Sequence, residues 1–252
     1  MRALECVSRI CCVLVAAIGA ACTATIGTPN PELLQKMSAR GEFGAAQSVR
    51  ICGLLDAGIT EATARRLIDE AWNDTEAGAL GLTMALVSLN SWQREGADIE
   101  TIFRNVRKLP IAPECDRMLA FLGPSDDFVS GLAGGVSLTH GFVLASPEST
   151  RRFPLTPAQV TRHEIYHLVG CGHSPTMDEC YRRIALAKSK RGGANAFFPV
   201  FLYALDEDIE RNCGVNSLID DRGEANRIAQ RWAGERERLA SGQALPARQC
   251  EK

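Results

Sequence analysis

Residues 163–173 read HEIYHLVGCGH, which fills every fixed position of the pattern H-E-x-x-H-x-x-G-x-x-H. The chain contains four histidines, and three of them lie in this stretch. Side chains four residues apart lie on one face of a helix, one turn from each other. His163 and His167 can therefore direct two imidazole nitrogens toward a single metal ion.

The other fixed positions complete a metal site. Glu164 follows the first histidine, where its carboxylate can contact a metal-bound water and act as a general base. Gly170 lies three residues after His167, where a helix can end in a left-handed glycine. The chain can then turn back so that His173 supplies a third nitrogen. Three protein ligands with a fourth position left to water are typical of catalytic Zn²⁺, so the stretch predicts zinc bound by His163, His167 and His173.

The residues before the motif predict where its helix begins. Thr156 is a favourable N-cap, and Pro157 suits the first helical position. Gln159 completes a T-x-x-Q capping box with Thr156. Together with the motif, these residues predict a helix from about Pro157 to Val169.

The stretch from Thr156 to His173 resembles the active-site helix of the metzincin zinc endopeptidases. The resemblance covers eighteen residues. It implies an α+β, helix-rich, zincin-like fold in which an active-site helix packs on a small mixed sheet. It also implies zinc ligands at His163, His167 and His173. A peptide or protein would be the substrate, hydrolysed through a zinc-bound water that Glu164 activates.

The family resemblance implies two further features. Metzincins have a methionine turn beneath the zinc, and Met177 is the only methionine after the motif. It follows His173 by four residues, a shorter interval than the family usually has. In zincins, the strand before the active-site helix lies at the sheet edge along the cleft, and an extended peptide pairs with it. The resemblance implies that Gly141–Ser146 is this edge.

The chain is expected to have three parts: a signal peptide at residues 1–24, an N-terminal helical region at 25–97, and a zincin-like catalytic domain with C-terminal helices at 98–252. The first part has a basic start and an apolar run of twelve residues at 10–21. Such a run is typical of a signal peptide and too short to span a bilayer. These features predict a secreted or periplasmic protein, with lipidation at Cys22 as the alternative to simple cleavage.

Charge and hydropathy limit the classes of partner. The formal net charge of the chain is −2, which gives no indication of nucleic-acid binding. No second apolar run is long enough to predict a membrane span. The partner that the metzincin resemblance implies is a peptide or protein substrate.

Apolar periodicity predicts mainly helices in the region 25–97. One helix is expected from Thr60 to Trp72, and a second from Thr75 through the apolar positions up to Trp92. The segment that begins at Thr28 is expected to start as a loose linker.

The region 98–252 is expected to contain both helices and strands. His140-Gly141 is interpreted as the turn between two strands. The fourth histidine, His140, is then either a loop-tip residue with a local hydrogen bond or a residue of the cleft or of a second metal site. The predicted elements are a helix at Asp98–Lys108, strands at Met118–Leu122, Val136–Thr139 and Phe142–Ala145, and helices at Tyr181–Lys188 and Asn226–Leu239.

The cysteines indicate a disulfide framework. An even number of cysteines in an exported chain favours disulfides. Cys171 and Cys180 bracket His173, so a bridge between them would hold the loop of the third ligand; alternatively, each bonds to a distant segment. Cys52 either forms a disulfide or, since residues 50–53 are similar to the latency motif of matrixins, ligates zinc from a propeptide. The six cysteines after the signal peptide are Cys52, Cys115, Cys171, Cys180, Cys213 and Cys250.

Two other interpretations of the site stay open. In one, Glu207 or Glu210 replaces the third histidine as an acidic ligand, as in gluzincins. In the other, the chain is a disulfide-stapled interaction module that binds zinc without turnover. If the protein is an enzyme, Tyr166, Tyr181 or Tyr203 could donate a further hydrogen bond to the developing oxyanion.

Overall fold

The computed structural model describes residues 26–96, 98–124, 133–146, 155–202 and 218–244. Within these ranges the chain forms a mixed α/β fold with seven helices and a five-stranded mixed sheet. This agrees with the prediction of several helices on a small mixed sheet. Some predictions concern residues outside the described ranges: the signal peptide at 1–24, Cys22, Tyr203, Glu207, Glu210, Cys213 and Cys250.

A five-stranded sheet forms the centre of the described structure. Its strands are β1 (Gln47–Leu55), β2 (Leu82–Ser91), β3 (Arg117–Leu122), β4 (Gly134–Ser137) and β5 (His140–Leu144). Their order across the sheet is β2-β1-β3-β5-β4. Neighbouring strands are parallel except β4 and β5, which form an antiparallel hairpin. β3 and β5 are buried along their whole length, so the core lies on both faces of the sheet here.

All but one of the seven described helices begin at a side chain that caps the first turn, the exception being Asp178–Lys190. The seven helices are α1 (Pro31–Ala39), α2 (Glu61–Trp72), α3 (Thr75–Leu80), α4 (Ile99–Lys108), α5 (Pro157–Leu168), α6 (Asp178–Lys190) and α7 (Arg222–Ala240). Asn30, Thr60, Asp74, Asp98 and Asp221 each accept a hydrogen bond from a backbone N–H in the helix that follows. The helices predicted to begin near Thr60 and Asp98 are thereby confirmed.

The prediction of a helical region at 25–97 was wrong, because β1 and β2 lie within it. The helix expected from Thr75 to Trp92 ends at Leu80, and Gly81 follows in a left-handed conformation with φ of +56°. β1 and β2 are apolar at consecutive positions, so neither shows the alternation that separates a strand from a buried helix. β1 lies between β2 and β3, so the sheet contains strands from both predicted regions.

The β4–β5 hairpin differs from the predicted one in its turn and in its place in the sheet. Its turn lies at residues 138–139 rather than at 140–141. His140 opens β5 and pairs with Met118 of β3. The prediction that Gly141–Ser146 forms the sheet edge was wrong, because β5 lies between β3 and β4. β4 is the outermost strand on this side of the described sheet.

The fourth histidine is a core residue. His140 is fully buried, its Nε2 lies 2.8 Å from the carbonyl oxygen of Leu109, and its Nδ1 lies 3.1 Å from Oγ1 of Thr139. It thus has the expected local hydrogen bond, to Thr139, and a second one to a distant residue, but it is not at a loop tip. Burial lowers its pKa to about 4, and the charges of Arg107 and Arg117 act in the same direction. The possible metal-binding groups among the described residues do not include it.

Two disulfides are present in the described residues. Cys171–Cys180 confirms the predicted bridge around the third histidine. Cys52–Cys115 ties β1 to the segment before β3. Because the Cys52 sulfur is bonded to Cys115, the alternative of a latency cysteine does not apply to this structure.

A smaller apolar cluster lies under α7. Trp232 is 1% exposed and belongs to one cluster with Phe197. Two short strands border it, β6 (Val200–Phe201) and β7 (Leu218–Ile219), which pair antiparallel. None of the described helices has the length and apolar character needed to cross a membrane.

Candidate metal centre

The helix that carries the first two histidines begins as its sequence predicts. In α5, Oγ1 of Thr156 accepts a hydrogen bond from the backbone N–H of Gln159 at 3.2 Å. The side-chain oxygen of Gln159 accepts one from the backbone N–H of Thr156 at 2.9 Å. This reciprocal capping box fixes the first turn, with Pro157 at the first helical position. The start of α5 is therefore specified locally.

The end of the helix turns the chain toward the third histidine. Gly170 has φ of +95°, a conformation that favours glycine. Its N–H donates to the carbonyl of His167, and the N–H of Cys171 donates to the carbonyl of Tyr166. A Cβ at residue 170 would also lie 2.7 Å from Cδ2 of Phe201. Backbone conformation and close packing both explain why the motif has glycine here.

The three predicted ligands converge. Nε2 of His163 lies 3.1 Å from Nε2 of His167 and 3.1 Å from Nε2 of His173. Zn–N bonds of about 2.0–2.1 Å in a tetrahedral site place two ligand nitrogens about 3.3 Å apart. The spacing of the imidazoles thus fits one small metal ion bound by nitrogen.

The protonation state of the imidazoles also suits a metal. Nδ1 of His167 lies 2.7 Å from the carbonyl oxygen of Cys171. A carbonyl can only accept, so Nδ1 carries the hydrogen, and the lone pair of Nε2 is directed into the site. Burial, together with the neighbouring His163 and His173, lowers the pKa of His167 to about 3. Burial lowers the pKa of His173 as well. Neutral imidazole is the form that binds metal.

Glu164, the residue after His163 on α5, is buried. Glu164 is 6% exposed, and burial raises the pKa of its carboxyl to about 8. Strand β4 passes directly against it. A Cβ built on Gly134 would lie 2.7 Å from both Cγ and Oε1 of Glu164. The carboxylate is therefore confined between α5 and the edge of the sheet.

Two of the three candidate tyrosines are engaged elsewhere. The hydroxyl of Tyr181 donates to Oε1 of Glu76 at 2.6 Å. The hydroxyl of Tyr166 accepts from Nη2 of Arg162 at 3.0 Å, and the same guanidinium contacts Oε2 of Glu76. These contacts form a buried network between α3, α5 and α6. The hydroxyls of Tyr166 and Tyr181 thus have structural partners.

The loop after α5 is short and closely held. The Cys171–Cys180 disulfide joins its start to α6. His173 is exposed and lies outside any helix or strand, whereas Met177 at the end of the loop is fully buried. A methionine turn at Met177 stays a prediction.

Sequence reasoning missed two elements of the site. Gly134 lies against the carboxylate of Glu164, and the Gly134-Gly135 pair before a predicted strand was the available signal for a close backbone approach. The segment Ile26–Thr28 contacts the loop after His173. No feature of that segment's own sequence indicates this contact.

The chain was compared with models of known protein families, with curated proteins and with solved structures, and none of the three comparisons gives a significant match. Inference about function therefore starts from the residues and geometry of the metal centre.

Proposed function

We propose that the protein is a zinc-dependent endopeptidase with Glu164 as its general base. One observation carries the proposal: Nε2 of His163 lies 3.1 Å from Nε2 of His167 and 3.1 Å from Nε2 of His173, and the residue after His163 on α5 is the buried Glu164. Metal binding alone needs only the histidines. The carboxylate is what a hydrolytic site requires in addition.

The donor set favours zinc. His163, His167 and His173 are nitrogen ligands of borderline softness, which suit Zn²⁺ better than Ca²⁺ or Mg²⁺. Three protein ligands leave a further coordination position open. A bound Zn²⁺ supplies Lewis acidity and lowers the pKa of a coordinated water. The convergence of His173 with the other two favours this set over one completed by Glu207 or Glu210.

Glu164 is suited to proton transfer. It follows His163 on α5, and as the base its carboxylate would contact the water held by the three histidines. Burial raises the pKa of this carboxyl in the metal-free site, and the charge of a bound cation would lower it again, so that the ionised form can take a proton from the attacking water. It would then pass the proton to the leaving amine. The backbone of β4 limits the positions that this side chain can adopt.

The sheet edge suggests how a peptide binds. β4 is outermost among the described strands on the side of the metal centre, and one edge of it pairs with β5. An extended peptide can pair with the other edge, with main-chain hydrogen bonds setting its register. Gly134 brings this edge against Glu164, so a peptide bond held there lies near the base. This supports an endopeptidase over a hydrolase of small esters.

The disulfides support the predicted location. Cys52–Cys115 and Cys171–Cys180 are of the kind that persist in oxidising compartments. With the signal peptide predicted at 1–24, they favour a secreted or periplasmic enzyme.

A comparison of Glu164→Gln with the wild type tests the proposal. Both proteins are loaded with zinc, bound metal per chain is measured, and hydrolysis of denatured casein is followed. We expect equal zinc and a loss of activity of about 10²–10⁴-fold in Glu164→Gln. Glu70→Gln, which changes an exposed glutamate on α2, is the matched control and should hydrolyse casein as the wild type does.

Two outcomes would contradict the proposal. Equal hydrolysis by the wild type and Glu164→Gln would remove Glu164 as the base. Zinc bound at one ion per chain, with no hydrolysis of casein or of a mixed peptide library by the wild type, would favour the zinc-binding interaction module.

A further inference from the structure

The segment Ile26–Thr28 is hydrogen-bonded along its backbone to the loop that follows His173. The N–H of Ser174 donates to the carbonyl of Ile26 at 2.9 Å. The N–H of Thr28 donates to the carbonyl of Pro175 at 3.1 Å, and the N–H of Met177 donates to the carbonyl of Thr28 at 2.9 Å. Three main-chain bonds thus join two segments that are distant in sequence, in a parallel arrangement.

Close packing accompanies these bonds. A Cβ on Gly27 would lie 2.7 Å from the carbonyl oxygen of Ser174 and 2.8 Å from the carbonyl carbon of Thr176. Both are backbone atoms, which cannot rotate away as a side chain can. Ile26 is 3% exposed and belongs to the main apolar core. The segment therefore has a fixed position between the core and the loop.

A side-chain bond continues the contact. Nδ2 of Asn30 donates to Oδ1 of Asp178, the first residue of α6, at 3.0 Å. The side-chain oxygen of Asn30 caps α1 at the same time. Asn30 thus joins α1 to the element that begins immediately after the loop.

The third ligand is positioned by a loop, whereas the other two are positioned by a helix. His163 and His167 are positioned by the hydrogen-bond ladder of α5. His173 lies on an exposed loop without helix or strand geometry. The Cys171–Cys180 disulfide holds the loop two residues before His173. The bonds from Ile26–Thr28 begin one residue after it.

We propose that residues 26–30 are a clamp that positions His173 for metal binding. The clamp and the disulfide hold the loop on both sides of His173. They restrict the conformations of the loop, so the imidazole of His173 is kept close to those of His163 and His167. Loss of an outer contact of this type commonly lowers metal affinity by about 10–100-fold. The inference rests on the metal centre of the proposed function and does not require peptidase activity.

The test uses Gly27→Ala in the full chain. We expect its affinity for Zn²⁺, measured by competition with a chelator, to fall by about 10–100-fold. The Co²⁺-loaded protein should also lose the intense visible absorption of a four-coordinate site. Gly78→Ala adds the same methyl group to an exposed glycine with open space around it, so it should bind Zn²⁺ as the wild type does.

A variant that lacks His173 distinguishes an effect on the position of His173 from a general loss of stability. In His173→Ala, the ligand that the clamp positions is missing, so adding Gly27→Ala should not change the remaining affinity. A loss of equal size in both backgrounds would show that the clamp acts on the fold as a whole, and would overturn the proposal.

Asn30→Ala gives an independent variant in case Gly27→Ala does not fold. Its control is Thr60→Ala, since both lose an N-cap but only Asn30 contacts α6. We expect weaker Zn²⁺ binding in Asn30→Ala alone. Wild-type affinity in Asn30→Ala and in any folded Gly27→Ala would overturn the clamp. Failure of the proposed function is distinct from this result, because it appears as a zinc-loaded wild type without hydrolysis.

Discussion

The backbone of Gly134 in β4 lies so close to the carboxylate of Glu164 in α5 that a methyl group at residue 134 would lie 2.7 Å from Oε1. No side chain separates the edge of the sheet from the proposed base. A peptide paired with this edge would thus be placed next to the group that handles the proton. Under the proposed function, glycine at residue 134 would therefore link the position of the substrate to that of the base.

Replacing Gly134 by alanine should reduce catalysis without removing the metal. The added Cβ would displace the Glu164 carboxylate, and a displacement of about 1 Å at a catalytic group can lower the rate by about 100-fold. We expect kcat/KM for a peptide substrate to fall by about that factor while zinc content is unchanged. Gly78→Ala is the control, because a Cβ on this exposed glycine of α3 meets nothing within 4 Å. Wild-type kinetics in Gly134→Ala would contradict the contact.

Removal of the two disulfides should have different effects on the free energy of unfolding and on zinc affinity. Cys171–Cys180 closes a loop with a sequence separation of 9, and Cys52–Cys115 closes one of 63. By loop-closure entropy, removing the short bridge costs about 2–3 kcal/mol and removing the long one about 4 kcal/mol. The carbonyl of Cys171 accepts the hydrogen bond of His167, so only the short bridge supports the ligands directly.

Paired Cys→Ser variants test this difference. In Cys171→Ser/Cys180→Ser we expect zinc affinity to fall by about 10–100-fold, measured by chelator competition. In Cys52→Ser/Cys115→Ser we expect the larger fall in unfolding free energy, measured in urea, with zinc affinity unchanged. If the two double variants lose zinc affinity equally, the short bridge has no particular role at the site.

The features that sequence analysis predicted correctly are local. The capping box of Thr156 and Gln159 specifies the start of α5 within one turn. The spacing of His163 and His167 follows from helix geometry, and Gly170 ends the helix by its own conformational freedom. Each depends on residues a few positions apart, so a single sequence contains the information.

The features that were predicted wrongly depend on distant contacts. The apolar runs of β1 and β2 fit a buried helix as well as a strand, and only pairing across the sheet distinguishes them. β5 is internal because His140 pairs with Met118, and this leaves β4 at the edge. The hydroxyl of Tyr181 donates to Glu76, which no spacing rule connects to it. These relationships arise on folding and have no local signal.

The buried carboxylate of Asp116 should be a main determinant of stability. It is fully buried, and Arg50 contacts both of its oxygens, at 2.7 and 3.1 Å. Arg191 and Arg222 lie 3.6 and 4.0 Å away. Burial alone would raise the pKa of Asp116, but the hydrogen bonds from Arg50 and Phe198 outweigh it and hold the pKa below its usual value. Removing the charge leaves several guanidinium groups together without their counter-ion.

We expect Asp116→Asn to lower the free energy of unfolding by about 3–5 kcal/mol, measured by urea denaturation near neutral pH. Because the folded pKa is lowered, this contribution is present above the usual pKa and is lost as the pH falls through the folded value. The variant and the wild type should therefore converge in strong acid. Asp69→Asn, at an exposed position on α2, is the control. A loss no larger than that of Asp69→Asn would contradict the assigned role.

His140 should make the protein less stable in mild acid. Burial lowers its pKa from 6.5 to about 4, so the unfolded chain binds a proton between these values while the folded chain does not. The contribution of His140 to the free energy of unfolding is thus fully present above about pH 6.5. It falls as the pH decreases toward about 4, by at most about 3 kcal/mol. In His140→Gln, whose amide can still donate to the carbonyl of Leu109, the fall in stability should be smaller by this amount, and the remainder comes from other groups such as His167, whose pKa burial also lowers. Urea denaturation of both proteins at several pH values measures it, and a difference in stability that is independent of pH would show that His140 does not titrate on unfolding.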